Sequence, residues 1–399
     1  MRRLQFIVFI TLFSGYASGQ AADYIMKSRA LIEAEKNSEA AILLTEAVSK
    51  GTDSRYYVYR GDALTALGRY EEAIKDYAFA NQIEPSSGDY GLARIYAMAG
   101  NASRSLGYLS SHLESRYKKS EKEIMLDPAF SKIENTPEWR LFWKTDRYSV
   151  PETKSGEIQF YINSGRIKEA KEVLAGLLRD YPSASQTIYA KALVDYHDGR
   201  CDECAAAMLK LTLAEKDKPV YEDLLAKARF CAGNVAGAIS VYSGMIDAGI
   251  PDAGLFLRRA ECFRKTGEYD KALKDVLKYL EFYPSSREGL RMAGKTASAA
   301  GDNLKGISFF SRNIELNPGD PECFTDRADS YFTARSWELA VNDYGMALDI
   351  KPDIPDAWLN KGIALINLGK TDDGCHDLRR AFSLGNKRAS PLISRYCIR

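Results

Sequence analysis

Histidine is nearly missing, with 3 in 399 residues. His112, His197 and His376 are too scattered to assemble a Ser-His-Asp or Cys-His arrangement. A glycine-rich phosphate loop is lacking as well. Catalysis therefore finds little support, and no cofactor or metal is expected. An excess of charge of one sign is absent too. The chain carries 55 Lys and Arg against 54 Asp and Glu, net +1, which argues against a surface that tracks phosphates. No alternation is long enough to suggest a sheet, and there is no low-complexity tail. Long apolar runs are wanting: the stretch Leu4 to Phe13 is too short to span a bilayer. Arg2 and Arg3 precede it, and the small and polar Ser14 to Gly19 follow. Ala17 and Gly19 would occupy the −3 and −1 positions of a cut before Gln20. Residues 1–19 read as a secretory signal peptide, so the mature chain is expected to be exported, periplasmic or secreted, with no integral membrane segment.

What is present is a period. Pro284, Pro318 and Pro352 recur every 34 residues, and units started at 151, 185, 219, 253, 287, 321 and 355 keep register without an insertion. Eighth positions read Ile158, Ala192, Ala226, Ala260, Gly294, Ala328 and Gly362. Twentieth positions read Ala170, Cys204, Ala238, Ala272, Gly306, Ala340 and Gly374. Small residues at two fixed points let two antiparallel helices approach closely. At position 15 stand Gly165, Gly199, Gly233, Gly267, Gly301, Arg335 and Gly369, where a left-handed residue ends the first helix. Proline near position 32 ends the second.

This pattern resembles the tetratricopeptide repeat family, best in Phe324, Ala328, Tyr331, Trp337, Ala340, Tyr344, Ala347 and Pro352, and again in Gly61, Gly68, Tyr70, Ala73, Tyr77, Ala80 and Pro85. The resemblance implies an all-α, right-handed superhelical solenoid of antiparallel helix pairs, about ten units in two arrays. The organisation expected is a three-unit array over 20–119, a helical aromatic insert over 120–150, a seven-unit array over 151–386 and a capping helix over 387–399. In the insert, Asp127-Pro128 and Thr136-Pro137 are helix-start signals. Its aromatics read either as a cap on the third unit or as a protruding contact site carried by Trp139, Phe142 and Trp143.

The resemblance also implies a groove lined by positions 2, 5, 6, 9, 12 and 13 of each first helix. Carried over, these positions give Lys227 and Phe230, then Arg258, Glu261, Arg264 and Lys265, then Arg291 and Lys295, with Asp326 and Asp329 beyond. Such a basic stretch suits an acidic or C-terminal peptide segment. The family's carboxylate clamp is not met, because Arg291, Lys295 and Asp326 stand in its places. The function expected is a non-catalytic scaffold of the cell envelope that holds a protein segment, monomeric by preference. Self-assembly through an array end is an alternative.

Seven cysteines read differently in an oxidising compartment. Cys375 and Cys397 are displaced by similar lengths from the turn near Gly385, so a folded-back terminal helix brings them level, and a disulfide between them is expected. This tail looks like the ends of exported bacterial tetratricopeptide proteins. Cys201-Asp-Glu-Cys204 lacks a second ligand pair for zinc and a βαβ context for a redox dithiol. Positions 17 and 20 face the helix-pair core, so both read as packing cysteines; a thiol-active envelope protein is the competing reading. Cys231, Cys262 and Cys323 read as fillers of small core spaces. Arg60-Gly61-Asp62 spells an adhesion tripeptide, but Gly61 is a position-8 packing residue inside a helix.

Overall fold

The computed structural model describes residues 21–216 and 218–397; the expected leader over 1–19 lies outside the described residues. All regular structure among them is helical. Helix α1 covers 21–33 and is followed by α2 (Asn37–Lys50), α3 (Ser54–Ala66), α4 (Tyr70–Ile83), α5 (Asp89–Met98) and α6 (Ala102–Leu113). The insert holds α7 (Glu121–Met125), a 3₁₀ turn (Pro128–Phe130) and α8 (Pro137–Phe142). The helix pairs then resume as α9 (Val150–Asn163), α10 (Ile167–Asp180), α11 (Ser185–His197), α12 (Cys201–Ala214), α13 (Pro219–Cys231) and α14 (Val235–Asp247). They continue through α15 (Gly254–Lys265), α16 (Tyr269–Phe282), α17 (Arg287–Ala299), α18 (Asn303–Leu316), α19 (Pro321–Thr333), α20 (Trp337–Ile350), α21 (Pro355–Asn367), α22 (Thr371–Ser383) and α23 (Ala389–Tyr396).

Local chemistry explains these boundaries. Three first helices open on capping side chains of this kind: Asp53 accepts from the Arg55 amide at 2.9 Å, Ser286 from Gly289 at 3.1 Å and Asp320 from Glu322 at 3.0 Å. Each satisfies an amide that no helical carbonyl can reach. Proline opens α13, α19 and α21, where its missing N–H costs nothing. Position 15 is left-handed in every unit of the long array, and Arg335 adopts it at φ 59° where the other units use glycine. In the first pair, Glu35 does the same. Second helices α16, α18 and α20 stop two residues before Pro284, Pro318 and Pro352.

The small-residue columns are the closest contacts. A Cβ on Gly374 would lie 2.7 Å from the Gly362 carbonyl oxygen, and one on Gly362 would lie 2.9 Å from that of Gly374. Backbones this near leave no room for a side chain. Bulk comes from position 24, where Tyr77, Phe310 and Tyr344 are buried.

The chain divides into two compact units, one ending at Leu255 and one beginning at Phe256. The division falls inside α15 and not at the insert, where the sequence suggested an array boundary. The physical reason is that the insert belongs to the core of the third helix pair. Ile124, Phe130, Ile133, Trp139 and Phe142 are buried with Ala93, Leu106, Leu109 and Leu113 of α5 and α6. A Lys118–Glu152 ion pair at 2.9 Å ties the segment just before the insert to α9. In the second unit, α23 closes the last pair by burying Ala389 against Leu359, Leu378 and Ala381. Cys375 and Cys397 are disulfide-bonded there, with Cα atoms 5.5 Å apart.

The structure corrects one cysteine expectation. Cys201 and Cys231 are not separate packing cysteines; they are bonded to each other, with Cα atoms 5.8 Å apart. Antiparallel packing of consecutive helices sets the start of α12 beside the end of α13. Positions 17 of one unit and 13 of the next therefore meet, a contact that a reading within single units overlooks.

Candidate functional site

Two pairs of columns position the groove-facing side chains. The first is a cation at position 7 and a carboxylate at position 23, sixteen residues on. Arg60 grips Asp76 with two bonds of 2.7 Å. Arg259 grips Asp275 at 2.7 and 2.8 Å, and Arg327 grips Asp343 at 2.7 and 2.9 Å. Lys361 and Asp377 repeat the pair at 3.2 Å. The forked geometry fixes the roll of the first helix against the second within a pair. Sequence reasoning missed these pairs because it followed small residues; opposite charges in columns 7 and 23 were the available signal.

The second is an aspartate at position 9 that accepts from a tyrosine at position 24. Tyr77 donates to Asp62 at 2.7 Å, and Tyr344 donates to Asp329 at 2.5 Å. Burial raises both carboxyls above the ordinary range, with the tyrosine hydrogen bond opposing it in each.

In the second unit these side chains open onto a cleft of about 490 Å³. Its wall is built from α17, α19 and α21, and positions 2, 5, 6 and 9 of those helices gather there: Arg291, Lys295, Glu322, Thr325, Asp326, Asp329 and Asn360. The groove positions implied by the repeat register thus converge on one site. Its charge differs from what the sequence suggested. Four cations (Arg287, Arg291, Lys295, Lys351) face five carboxylates (Asp320, Glu322, Asp326, Asp329, Asp356). Arg291 donates to Asp326 at 2.5 Å and also pairs with Glu322. Lys295 reaches the other Asp326 oxygen at 3.1 Å. Asp326, buried, stands where an incoming carboxylate would have to bind.

The other residues expected in the groove are also engaged. Lys227 pairs with Asp223 at 2.6 Å and Arg264 with Glu261 at 2.7 Å. Lys265 is exposed, while Phe230 and Arg258 are half-buried. Lys227 and Phe230 belong to the first unit, and the others to the second. The basic stretch is therefore not an unneutralised patch, because nearby acids from the same chain already bind several of its cations.

Of the two readings of the aromatic insert, the cap on the third helix pair agrees with the structure and the protruding contact site does not. Trp139 and Phe142 are 6% and 8% exposed, and Trp143 packs against the same cluster. They do not protrude, because α5 and α6 would otherwise present an uncovered apolar face. Reactive thiols find no place either. Cys201 is consumed in its disulfide, and burial pushes the Cys204 thiol up to about 12, far from a nucleophilic thiolate. Among the described residues no group of three or more His, Cys, Asp or Glu side chains is placed to hold a metal.

A family model for the tetratricopeptide repeat matches residues 25–87 and 224–287. A repeat-containing protein of Methanocaldococcus jannaschii is 25% identical over 191 residues, 44% of this chain and 34% of its own length. The chain is a tetratricopeptide repeat protein. Among curated relatives of this tetratricopeptide chain, a DnaJ homolog subfamily C member 3 homolog of Dictyostelium discoideum is 23% identical over 202 residues, covering 47% of this chain and 39% of that one. The chain spans about two fifths of the length of the first curated relatives it matches. The solved hetero-tetramer Cut9–Hcn1 of the APC/C shares the fold, with a TM-score of 0.51 at 13% identity, covering 94% of this chain and 83% of that one. Tetratricopeptide arrays as a class are protein-interaction scaffolds, as a rule without catalysis.

Proposed function

We propose that the protein is an exported, non-catalytic adaptor whose second unit holds a segment of a partner protein in the cleft between α17, α19 and α21. The observation that carries this reading is one carboxylate oxygen left over after internal pairing. Asp329 takes the Tyr344 hydroxyl at 2.5 Å and the Asn360 amide at 3.4 Å, both on one oxygen, and its other oxygen accepts nothing from the described residues. Arg287, Arg291 and Lys295 are paired with acids of α19 and the turn before it. The cleft therefore favours a partner that brings a hydrogen-bond donor or a cation, a lysine or arginine side chain on an extended segment. This replaces the acidic partner expected from the run of basic residues. Rigid stacked helices lose little entropy on binding, so a modest set of polar contacts suffices. Export rests on the charge and apolar pattern of residues 1–19 and on the paired cysteines.

The test is selection of a displayed peptide library on the whole chain. Enriched peptides should share a lysine or arginine, and Asp329→Asn should weaken them about tenfold, the loss of one charge-assisted bond. Enriched peptides that lack a cation, or that bind the variant equally well, would overturn the reading.

A further inference from the structure

The first unit treats its groove differently. The turn after α14 runs back to the beginning of the chain and is held there by two arginines from first helices. Arg29 of α1 donates through Nη1 to the Pro251 carbonyl at 2.9 Å, 222 residues away in sequence. Arg55 of α3 donates through Nη1 to the Gly249 carbonyl at 3.3 Å, 194 residues away. In the repeat register Arg29 stands at position 9 of its unit and Arg55 at position 2 of the next, both groove positions. The turn itself is a bend built by Gly249 at φ 72° and closed by the Asp252 amide donating to the Ile250 carbonyl at 2.9 Å. Gly249 is buried. The Arg55 guanidinium is aimed by Asp53, which takes its Nη2 at 2.6 Å and its Nε at 2.9 Å.

We infer that the groove of α1 and α3 is a second binding site, one that recognises main-chain carbonyls of a Gly-x-Pro bend, and that the turn 248–253 is its resident ligand in cis. Two guanidiniums bonded to carbonyls two residues apart read backbone shape and not side-chain identity. A partner segment carrying the same bend therefore competes with the turn, and it enters only when the turn leaves. The site is separate from the cleft of the second unit and is indifferent to Asp329.

The experiment uses the full chain and a labelled synthetic peptide of residues 246–254. Replacing Gly249 to Asp252 with Ala-Ser-Ala-Ser removes the left-handed glycine and the proline that shape the bend, and so empties the groove of its own ligand. This variant should bind the peptide at least tenfold more tightly than the wild type does, and adding Arg29→Ala and Arg55→Ala should abolish the gain. Equal binding by the loop variant with and without its arginines would overturn the proposal. Should the loop variant not fold, hydrogen exchange on the Arg29→Ala/Arg55→Ala chain decides instead. Exchange at the Ile250 and Asp252 amides should quicken at least tenfold, and unchanged protection there would show that the arginines do not hold the turn.

Discussion

The repeat α3–α4 of the first unit and the repeat α19–α20 of the second are built from the same parts and end in opposite states. Both have the arginine–aspartate grip, Arg60 on Asp76 and Arg327 on Asp343. Both have the tyrosine–aspartate bond, Tyr77 to Asp62 and Tyr344 to Asp329. They part at the next neighbour. Arg94 of α5 approaches Asp62 at 4.0 Å and is itself held by Asp127 of the insert at 2.9 Å. In the second unit the neighbour is Asn360, which lends an amide but no charge. One repeat therefore sets a cation from the following helix beside its position-9 carboxylate, and the other sets only a neutral amide there. The scaffold sets where the acid stands; a single residue on the following helix decides whether it is available.

The largest predicted effect breaks this comparison from the side of the insert. Trp139→Ala removes the aromatic that closes the third helix pair, between Phe130 at 5.3 Å and Trp143 at 5.7 Å. It should cost the first unit about 3–5 kcal/mol, as buried tryptophan truncations do. Denaturant unfolding followed by residue-level exchange should show the loss in 21–255 while 256–397 keeps its protection. A uniform loss over the whole chain would mean that the insert supports more than the pair it covers.

Next comes the shared grip. Asp343→Ala leaves Arg327 with the Ser311 hydroxyl but without its acid, at a site where the aspartate side chain is 3% exposed. Breaking a pair of this kind costs about 3 kcal/mol. Asp76→Ala should cost nearly the same, since Asp76 is 9% exposed and the geometry repeats. Equal losses by chemical denaturation would confirm that the two repeats share one scaffold. A twofold difference would show that the groove contents feed back on it.

The extent to which the sequence revealed this follows from what a period can carry. Positions 8, 15, 20 and 32 are fixed by backbone geometry: glycine or alanine at Gly362 and Gly374, left-handed residues at Gly369 and Arg335, proline at Pro352. A rule about the backbone recurs in every unit, so it shows in a single chain. The groove positions recur too, and Arg291, Lys295, Asp326 and Asp329 do line one cleft. Their charge state was not legible, because it depends on which acid of the next helix meets which cation. The same holds for Cys201 and Cys231, which come together only when consecutive units stack. The turn at 249–251 lies further still from any local pattern, its partners being 194 and 222 residues away.

A third prediction sharpens the difference through pH. His112 of α6 is buried and accepts from the Lys119 amide through Nε2 at 3.2 Å. Burial, and then the Lys119 charge, hold it near 4, well below the ordinary histidine value of about 6.5. As pH falls from about 6.5 to 4 the unfolded chain therefore takes up a proton that the folded chain refuses, and stability is lost over that window. The loss should reach at most about 3.4 kcal/mol, at 1.36 kcal/mol for each pH unit. Thermal midpoints of the first unit at pH 7 and pH 4.5 should differ by less in His112→Gln than in the wild type. Parallel curves would remove His112 as the cause.

The smallest stability effect carries the most about function. Asp329 keeps an edge open to water, but the protein packed around its carboxyl, Tyr344 included, displaces enough solvent to raise it, so the charged form is slightly disfavoured in the folded state. A carboxyl whose folded value lies above its unfolded one weakens the fold at high pH, and that penalty disappears as pH falls through the folded value. Asp329→Asn should therefore leave the thermal midpoint at pH 7 unchanged or slightly higher, within about 0.5 kcal/mol. Any advantage should vanish at pH 4. Asp62→Asn is the control from the other repeat. There the relief from burying a charge is opposed by the loss of the acid beside Arg94, so the variant should be less stable at pH 7 than Asp329→Asn. If Asp329→Asn is instead the more damaging of the two, the carboxylate belongs to the scaffold and is not the surplus acceptor that a partner's cation would meet.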